Sequence, residues 1–330
     1  MLLLTKTVLS IMIGFLISIL IGSILVPYLR KKKASQTLSI YLEERHQIKK
    51  GTPTMGGLIF ILSTLISFFI LYILGKIEIS YNLIIVIFTF IGYGFIGFLD
   101  DYLIIKRKDN QGLTEGQKLI GQVIIATIFF YLFMIADNEP LLWIHSINLK
   151  WDIGWFYGLF ILFVLIASSN AVNITDGLDG LAGGLSAIAL FTFGILSIAA
   201  GWLEGYAEIA IFLFLLVGSI LGFLVFNVSP AKIFMGDTGS LALGAVLGTV
   251  AILTRHELLL IIIGIVFVLE TLTCVIQRYY YKLTKKRIFP MTPIHHTFEK
   301  LGWQERDIVK LFWIIGLIGG MIGIIYGVWL

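Results

Sequence analysis

Five short segments of this 330-residue chain concentrate residue types suited to phosphate and proton chemistry. Asp100-Asp101 closes an apolar run. Adjacent acids there can serve as a general base, hold Mg²⁺ beside a phosphate, or simply be solvated at an interface. A helix C-terminus disfavours negative charge, so acids at such an end call for a cation. Asn170–Gly180 (NAVNITDGLDG) packs two amides and two acids between glycines, more than the single residue needed to cap a following helix. In Asn227–Ser240, Asp237 stands between Gly236 and Gly239, where backbone can approach a ligand closely. Thr238 and Ser240 open the next helix, whose free N–H groups would favour an anion. Phe234 reads either as an interfacial anchor or as a stacking platform for a base. His295-His296 are poorly spaced for zinc and better suited to positioning phosphates beside the basic stretch Lys282–Arg287. Lys49-Lys50 followed by Gly51–Gly57 (GTPTMGG) reads as a basic anchor with Thr54 capping a helix, or as a cradle for a phosphorylated ligand.

The rest of the chain must hold these segments in a membrane. Apolar residues make up 58% and charged residues only 13%, with mean hydropathy +0.97. Soluble domains usually carry about a quarter charged residues. That balance excludes a soluble enzyme, a nucleic-acid-binding module and a disordered chain. A single cysteine, Cys274, excludes an internal disulfide framework. The first apolar run ends at Arg30–Lys33, without a small-residue cleavage site, so it reads as a retained span and not a signal peptide.

A bilayer core about 30 Å thick needs roughly 20 apolar residues per helix. Ten runs qualify: 8–29, 56–74, 81–99, 118–136, 154–169, 182–201, 207–226, 239–254, 258–278 and 308–329. The expected fold is all-α and polytopic, one domain over residues 1–330, with no internal repeat. Of the 24 Lys and Arg residues, 20 fall in the loops around 30–55, 100–118, 227–238 and 278–310. The remaining four are Lys6, Lys76, Lys150 and Arg255. Positive loops mark the cytoplasm, so both termini are expected outside and all five polar segments inside. A secondary transporter would place binding residues near the midplane in repeated halves, which this pattern does not. Glu270 is the one ionisable residue well inside a run, with Arg278 or a neighbouring helix as its expected partner.

Together, GTPTMGG, Asp100-Asp101, Asn170–Ala182 (NAVNITDGLDGLA), Phe234–Gly244 (FMGDTGSLALG) and Pro293–Glu299 (PIHHTFE) resemble the polyprenyl-phosphate N-acetylhexosamine-1-phosphate transferases. GTPTMGG and PIHH…FE resemble the phospho-N-acetylmuramoyl-pentapeptide branch more than its N-acetylglucosamine-1-phosphate sister, which stays the nearest alternative. The resemblance implies a Mg²⁺-dependent enzyme of the bacterial plasma membrane. Its partners would be UDP-N-acetylmuramoyl-pentapeptide and undecaprenyl phosphate, its products lipid I and UMP, with no nucleic acid and with a homodimer left open.

By motif, Asp237 resembles the Mg²⁺ ligand, with Asn170 in the metal's neighbourhood, and Asp100 and Asp101 resemble the pair that handles the lipid phosphate. Phe234 would stack on uracil, while Lys49, Asn227 and Asp179 would line the nucleoside pocket. Thr54, Asn173, Asp176 and His296 would adjoin the uridine and phosphates. His295 would orient phosphates, and Gln277 and Lys118 would line the same pocket. Two positions depart from the family pattern: Thr297 follows His295-His296 where a third histidine is usual, and Ile104 stands where a lysine is usual.

Overall fold

The computed structural model describes residues 3–32, 34, 49, 51–107, 111–144 and 149–329. Lys33 and Lys50 of the basic stretches lie outside these residues. The described helices are α1 (Leu3–Lys31), α2 (Gly57–Ile73), α3 (Tyr81–Arg107), α4 (Glu115–Ile135), α5 (Phe156–Thr175), α6 (Leu181–Ala199), α7 (Tyr206–Asn227), α8 (Gly236–Leu253), α9 (Leu259–Ile263), α10 (Ile265–Thr284), α11 (Ile294–Lys300) and α12 (Glu305–Ile324). A hairpin of β1 (Leu141–Ile144) and β2 (Leu149–Asp152) joins α4 to α5, with Leu141 opposite Asp152.

Eight helices, α1, α3 to α8 and α12, are long and apolar enough to cross a membrane, and α2 is apolar but shorter at 17 residues. The chain is therefore an all-α polytopic membrane protein. The run expected to be an uninterrupted ninth span is divided instead. Gly264 leaves helical geometry at φ −95° and ψ 23°, ending α9 after five residues and starting α10. Glycine is the residue least costly to release from a helix. Two other expected boundaries move outward: α3 continues past Asp100-Asp101 to Arg107, and α5 continues past Asn170 to Thr175. The polar residues there ride on helices and not on loops.

Lipid does not drive helices together, so close contact needs small residues at the crossings. α1 meets α7 where a side chain at Gly218 would strike the Ile11 carbonyl, and Ser18 Oγ donates to the Ser219 carbonyl at 2.7 Å. α8 is almost wholly buried between α3 and α5. A side chain at Gly97 of α3 would strike the Asp237 carbonyl, and one at Gly244 of α8 would strike the Ser168 carbonyl of α5. The start of α8, and with it Asp237, is thus wedged by backbone contact.

The opposite end of α8 is locked by a buried polar knot. Arg255, in the left-handed region at φ 59°, donates through Nη1 to the Leu141 carbonyl and Tyr157 Oη, both at 3.0 Å, and through Nη2 to the Glu139 carbonyl at 2.5 Å. Tyr157 in turn donates to Glu257 Oε1 at 2.5 Å. Burial pushes the Glu257 carboxyl up to about 7, against the pull of Tyr157 and Arg255. A carboxyl raised in the folded state stabilises it fully below the unfolded value and loses that stabilisation as pH rises through the folded one. Between about pH 4.5 and 7 the loss amounts to roughly 3 kcal/mol. The wild type should therefore melt at a lower temperature at pH 8 than at pH 5, and Glu257→Gln should flatten that slope in a thermal-shift series. An unchanged slope in the variant would show that Glu257 does not set it.

Candidate active site

α3, α5 and α7 end where α4, α6, α8 and α12 begin, and the polar residues gather at that one end of the bundle. Asp101 anchors the arrangement. Its carboxylate accepts the Asp237 N–H at 3.3 Å, the Thr238 N–H at 3.0 Å and the Thr238 hydroxyl at 2.6 Å. An acid on α3 therefore caps α8, satisfying two of the donors that any helix start leaves open. The expectation that these N–H groups stand free for a ligand phosphate is corrected: the protein's own carboxylate occupies them. Asp101 is fully buried. Gly236, at φ 74°, lies so close to Asp101 and Thr54 that any side chain there would collide with both.

Asp237, one residue into α8, faces outward. Its Oδ2 lies 2.7 Å from Lys118 Nζ on α4, and its Oδ1 accepts from Asn173 Nδ2 on α5 at 2.8 Å. Asn173 also donates to Ser240 Oγ at 2.9 Å. Lys118 reaches Asp100 Oδ1 at 3.1 Å, and the Leu113 N–H donates to that same oxygen at 2.7 Å. Lys118, a peripheral candidate by sequence, is thus the central cation. The Leu113 N–H carries no sequence signal, and Thr238 and Ser240, expected only to open α8 beside an anion, instead bond Asp101 and Asn173 from other helices.

Asp176 ends α5 beside this cluster, where the Gly236 N–H serves it. Burial, followed by the charges of Asp237, Asp101 and Asp179, holds its carboxyl well above the usual carboxylate range. The cluster is rich in carboxylates, and Lys118 is the cation that ion-pairs within it among the described residues. Asn170 lies one turn before Asn173 on α5, exposed, with its amide nitrogen donating to the Ile166 carbonyl at 2.8 Å.

A second cluster borders the first. Lys49 Nζ lies 2.7 Å from both Asp179 Oδ1 and Glu305 Oε1. Glu305 Oε1 also accepts the Asp179 N–H at 2.7 Å, and Asp179 Oδ2 accepts the Ala231 N–H at 2.9 Å. Burial lowers the proton affinity of Lys49, but the two carboxylates outweigh it and hold the ammonium above the usual lysine range. Asn227 is buried and ties two loops together, accepting the Gly180 N–H at 3.1 Å and donating to the Ile233 carbonyl at 2.9 Å.

GTPTMGG does not form a loop open to a ligand. The Phe234 N–H donates to the Pro53 carbonyl, and the N–H groups of Gly56 and Gly57 donate to the carbonyls of Phe234 and Met235, all at 2.8–2.9 Å. Gly57 is needed because backbone of Gly239 lies against it. Thr54 is buried under Gly236, and Gly56, not Thr54, precedes α2, so the expected threonine cap is corrected. This pairing fixes the backbone of Phe234, whose ring stays half-buried.

The histidines divide. His295 is fully buried, its Nδ1 3.1 Å from Glu270 Oε2, and its ring rests against Gly177. Glu270 therefore pairs with His295, not with Arg278. His296 lies at 2.6 Å from Glu299 within α11, its ring 4.2 Å from that of His295. Thr297 Oγ1 donates to the Met291 carbonyl and accepts the Met291 N–H at 3.4 Å, so this departure from the family pattern pins a loop. Gln277 Oε1 accepts the N–H groups of Ile288 and Phe289 at 3.1 and 3.0 Å.

The sequence matches known proteins along its length. A family model described as glycosyl transferase family 4 matches residues 83–255, and the phospho-N-acetylmuramoyl-pentapeptide-transferase signature 1 matches residues 49–61. Curated proteins named phospho-N-acetylmuramoyl-pentapeptide-transferase from Bacillus licheniformis and Bacillus subtilis strain 168 are each 47% identical over 321 residues, covering 97% of this chain and 98% of the relative. One of the same name from Geobacillus thermodenitrificans is 45% identical over 324 residues, 98% of each chain. The chain belongs to the phospho-N-acetylmuramoyl-pentapeptide-transferase family. The signature of that family covers the segment that here zips against Phe234 and Met235.

Glu305 is the residue that sequence reading missed, since nothing in its local pattern links it to Lys49 or Asp179. Removing it strands the Asp179 N–H and takes away one of the two carboxylates on Lys49, a loss on the scale of about 1–3 kcal/mol. Glu305→Ala should lower the melting temperature and raise KM for the nucleotide substrate more than it lowers kcat, in steady-state kinetics. Equal effects on both constants would place Glu305 outside substrate binding.

Proposed function

We propose that this chain transfers phospho-N-acetylmuramoyl-pentapeptide from its UDP-activated form to undecaprenyl phosphate at the cytoplasmic face of a bacterial plasma membrane, releasing UMP and giving lipid I. The observation that carries this reading is the outward-facing Asp237 held between Lys118 and Asn173 at one end of the helix bundle. The basic loops on that side support the cytoplasmic placement.

In the reaction an oxygen of the lipid phosphate attacks the sugar-bearing phosphorus of the UDP-sugar, and the bond to UMP breaks. One phosphoanhydride is exchanged for another, so the protein's work is positioning and charge neutralisation. Lys118 supplies a cation between Asp100 and Asp237, beside which phosphate oxygens are stabilised. Asn173 fixes the Asp237 carboxylate by its amide and is itself fixed by Ser240. Asp100, nearly buried and hydrogen-bonded by the Leu113 N–H, is placed to receive the lipid phosphate's proton. Asp101 acts on the reaction through α8. Phe234, on its paired backbone, offers a ring to the uracil, and Lys49 and Asp179 border the same side.

A divalent cation fits this donor set. Carboxylates outnumber the ammonium among them, and burial, with the charges of Asp237, Asp101 and Asp179, raises the proton affinity of Asp176. Among the described residues no three acids, imidazoles or thiols converge to hold a metal. Mg²⁺ commonly takes one or two carboxylates and completes its shell with phosphates and water. Asp237 would hold it, with Asn170 on the adjoining turn of α5, and it would neutralise charge on the diphosphate.

Purified protein with undecaprenyl phosphate and Mg²⁺ should release UMP from UDP-N-acetylmuramoyl-pentapeptide, not from UDP-N-acetylglucosamine, and chelation should stop it. Asp237→Asn should cut turnover by about 100-fold or more while the protein stays folded, since an amide is a poorer ligand for a hard dication. UMP release only from UDP-N-acetylglucosamine would assign the sister activity instead, and undiminished turnover with chelator would remove Mg²⁺ from the reading.

A further inference from the structure

Lys118 belongs to the first turn of α4, whose start is fixed by a capping box of Thr114 and Gln117. The helix dipole disfavours a cation at that end. The side chain nevertheless crosses to α3 and α8, with Nζ 3.1 Å from Asp100 Oδ1 and 2.7 Å from Asp237 Oδ2. Carboxylates on other helices, and not its own helix, hold it there.

The two acids depend on Lys118 unequally. Asp100 Oδ1 also accepts the Leu113 N–H at 2.7 Å and is closed in by Gly112, where a side chain would strike the carboxylate. Asp237 Oδ1 accepts from Asn173 at 2.8 Å, whereas Oδ2 meets Lys118 alone among the described residues. If the ammonium swings away, each acid keeps one hydrogen bond, and the atom laid bare is Asp237 Oδ2. That oxygen belongs to the carboxylate on which a divalent cation would sit. The side chains of Lys118 and Asp237 are 28% and 22% exposed, against 5% for Asp100, so the contact that can open is the one nearer to water. A hard dication needs direct contact with a carboxylate oxygen, and two cations brought to one oxygen repel each other.

We propose that Lys118 is a placeholder for the divalent cation: ammonium and metal compete for Asp237 Oδ2, and the displaced ammonium turns to the diphosphate that accompanies the metal. The proposal rests on the reading of Asp237 as the metal's carboxylate, but not on which UDP-sugar reacts. Its consequence is coupling. Metal alone must pull Lys118 off a carboxylate, whereas metal with a diphosphate offers the ammonium phosphate oxygens in exchange, so each ligand strengthens the other.

The test reads binding of Mn²⁺, a dication with the oxygen preference of Mg²⁺, by electron paramagnetic resonance on the full chain in nanodiscs without nucleotide. Lys118→Met should bind Mn²⁺ about tenfold or more tighter than wild type, because a unit charge in contact with Asp237 is gone. A lysine that merely orients Asp237 predicts weaker binding in the variant; that result, or an unchanged affinity, would overturn the proposal. Lys49→Gln removes a cation that pairs with Asp179 and Glu305 and not with Asp237, and should leave Mn²⁺ affinity unchanged. An equal gain there would reduce the effect to net charge and overturn the exchange. Asp237→Asn should lose Mn²⁺ binding, and wild-type affinity in that variant would overturn the metal reading and the exchange together.

Should Lys118→Met misfold, the wild type carries the test. Acetylation of Lys118 by an amine-reactive ester is followed by peptide mass spectrometry, with the exposed Lys310 as reference. It should rise several-fold on adding Mg²⁺ and fall again on adding UDP. Mg²⁺ that leaves Lys118 as protected as before would show that metal and lysine do not exchange.

Discussion

The functional end of this protein depends on a carboxylate capping a helix to which it does not belong. Asp101 sits four residues after Gly97, on the same face of α3. Gly97 lets α3 approach until it touches the Asp237 carbonyl, and Asp101 then meets the open N–H groups at the start of α8. Hydrogen bonds to a charged acceptor contribute about 1.5–3 kcal/mol each, and the helix dipole adds to them. Gly236 leaves the room that this carboxylate fills. With α8 fixed at its first turn, the side chain of Asp237 has one direction to point, toward Lys118 and Asn173.

A buried acid serving as a cap leaves its neighbours under repulsion. Asp100 is relieved by Lys118 and the Leu113 N–H, Asp237 by Lys118 and Asn173, and Asp176 by the Gly236 N–H. The cluster is therefore poised for a ligand that brings positive charge together with phosphates, and its geometry persists without one because every acid already has some form of relief.

Much of this was legible in the sequence because the chemistry lies in contiguous segments of distinctive composition. The carboxylate pair, the Asn170–Asp179 stretch and the Gly-flanked Asp237 all announce themselves by residue type. What stayed hidden was pairing across helices. Asp101 and Asp100 read as twins, yet one is buried under α8 and the other faces Lys118. GTPTMGG reads as a phosphate cradle because glycines and threonines suit one; only the backbone hydrogen bonds with Phe234 and Met235 reveal that its glycines serve backbone contact. The sequence points to ends of α3 and α5 that are too early because polar side chains look like loops when their partners are out of sight. Gly264 gave no warning of a broken helix, since single glycines recur in many of the other spans.

Glu305 belongs to the last helix, yet it clasps Lys49 and the Asp179 turn, contributed by the first and middle thirds of the chain. A ribosome delivers these pieces in order, with α12 emerging only after every other helix has entered the bilayer. Until then the Asp179 N–H has no carboxylate to meet, and Lys49 has one partner where two are needed. Closure of the rim is thus coupled to the arrival of α12: a chain stalled before it would possess every residue of the Lys118–Asp237 cluster but not the clasp that joins Lys49 to the Asp179 turn.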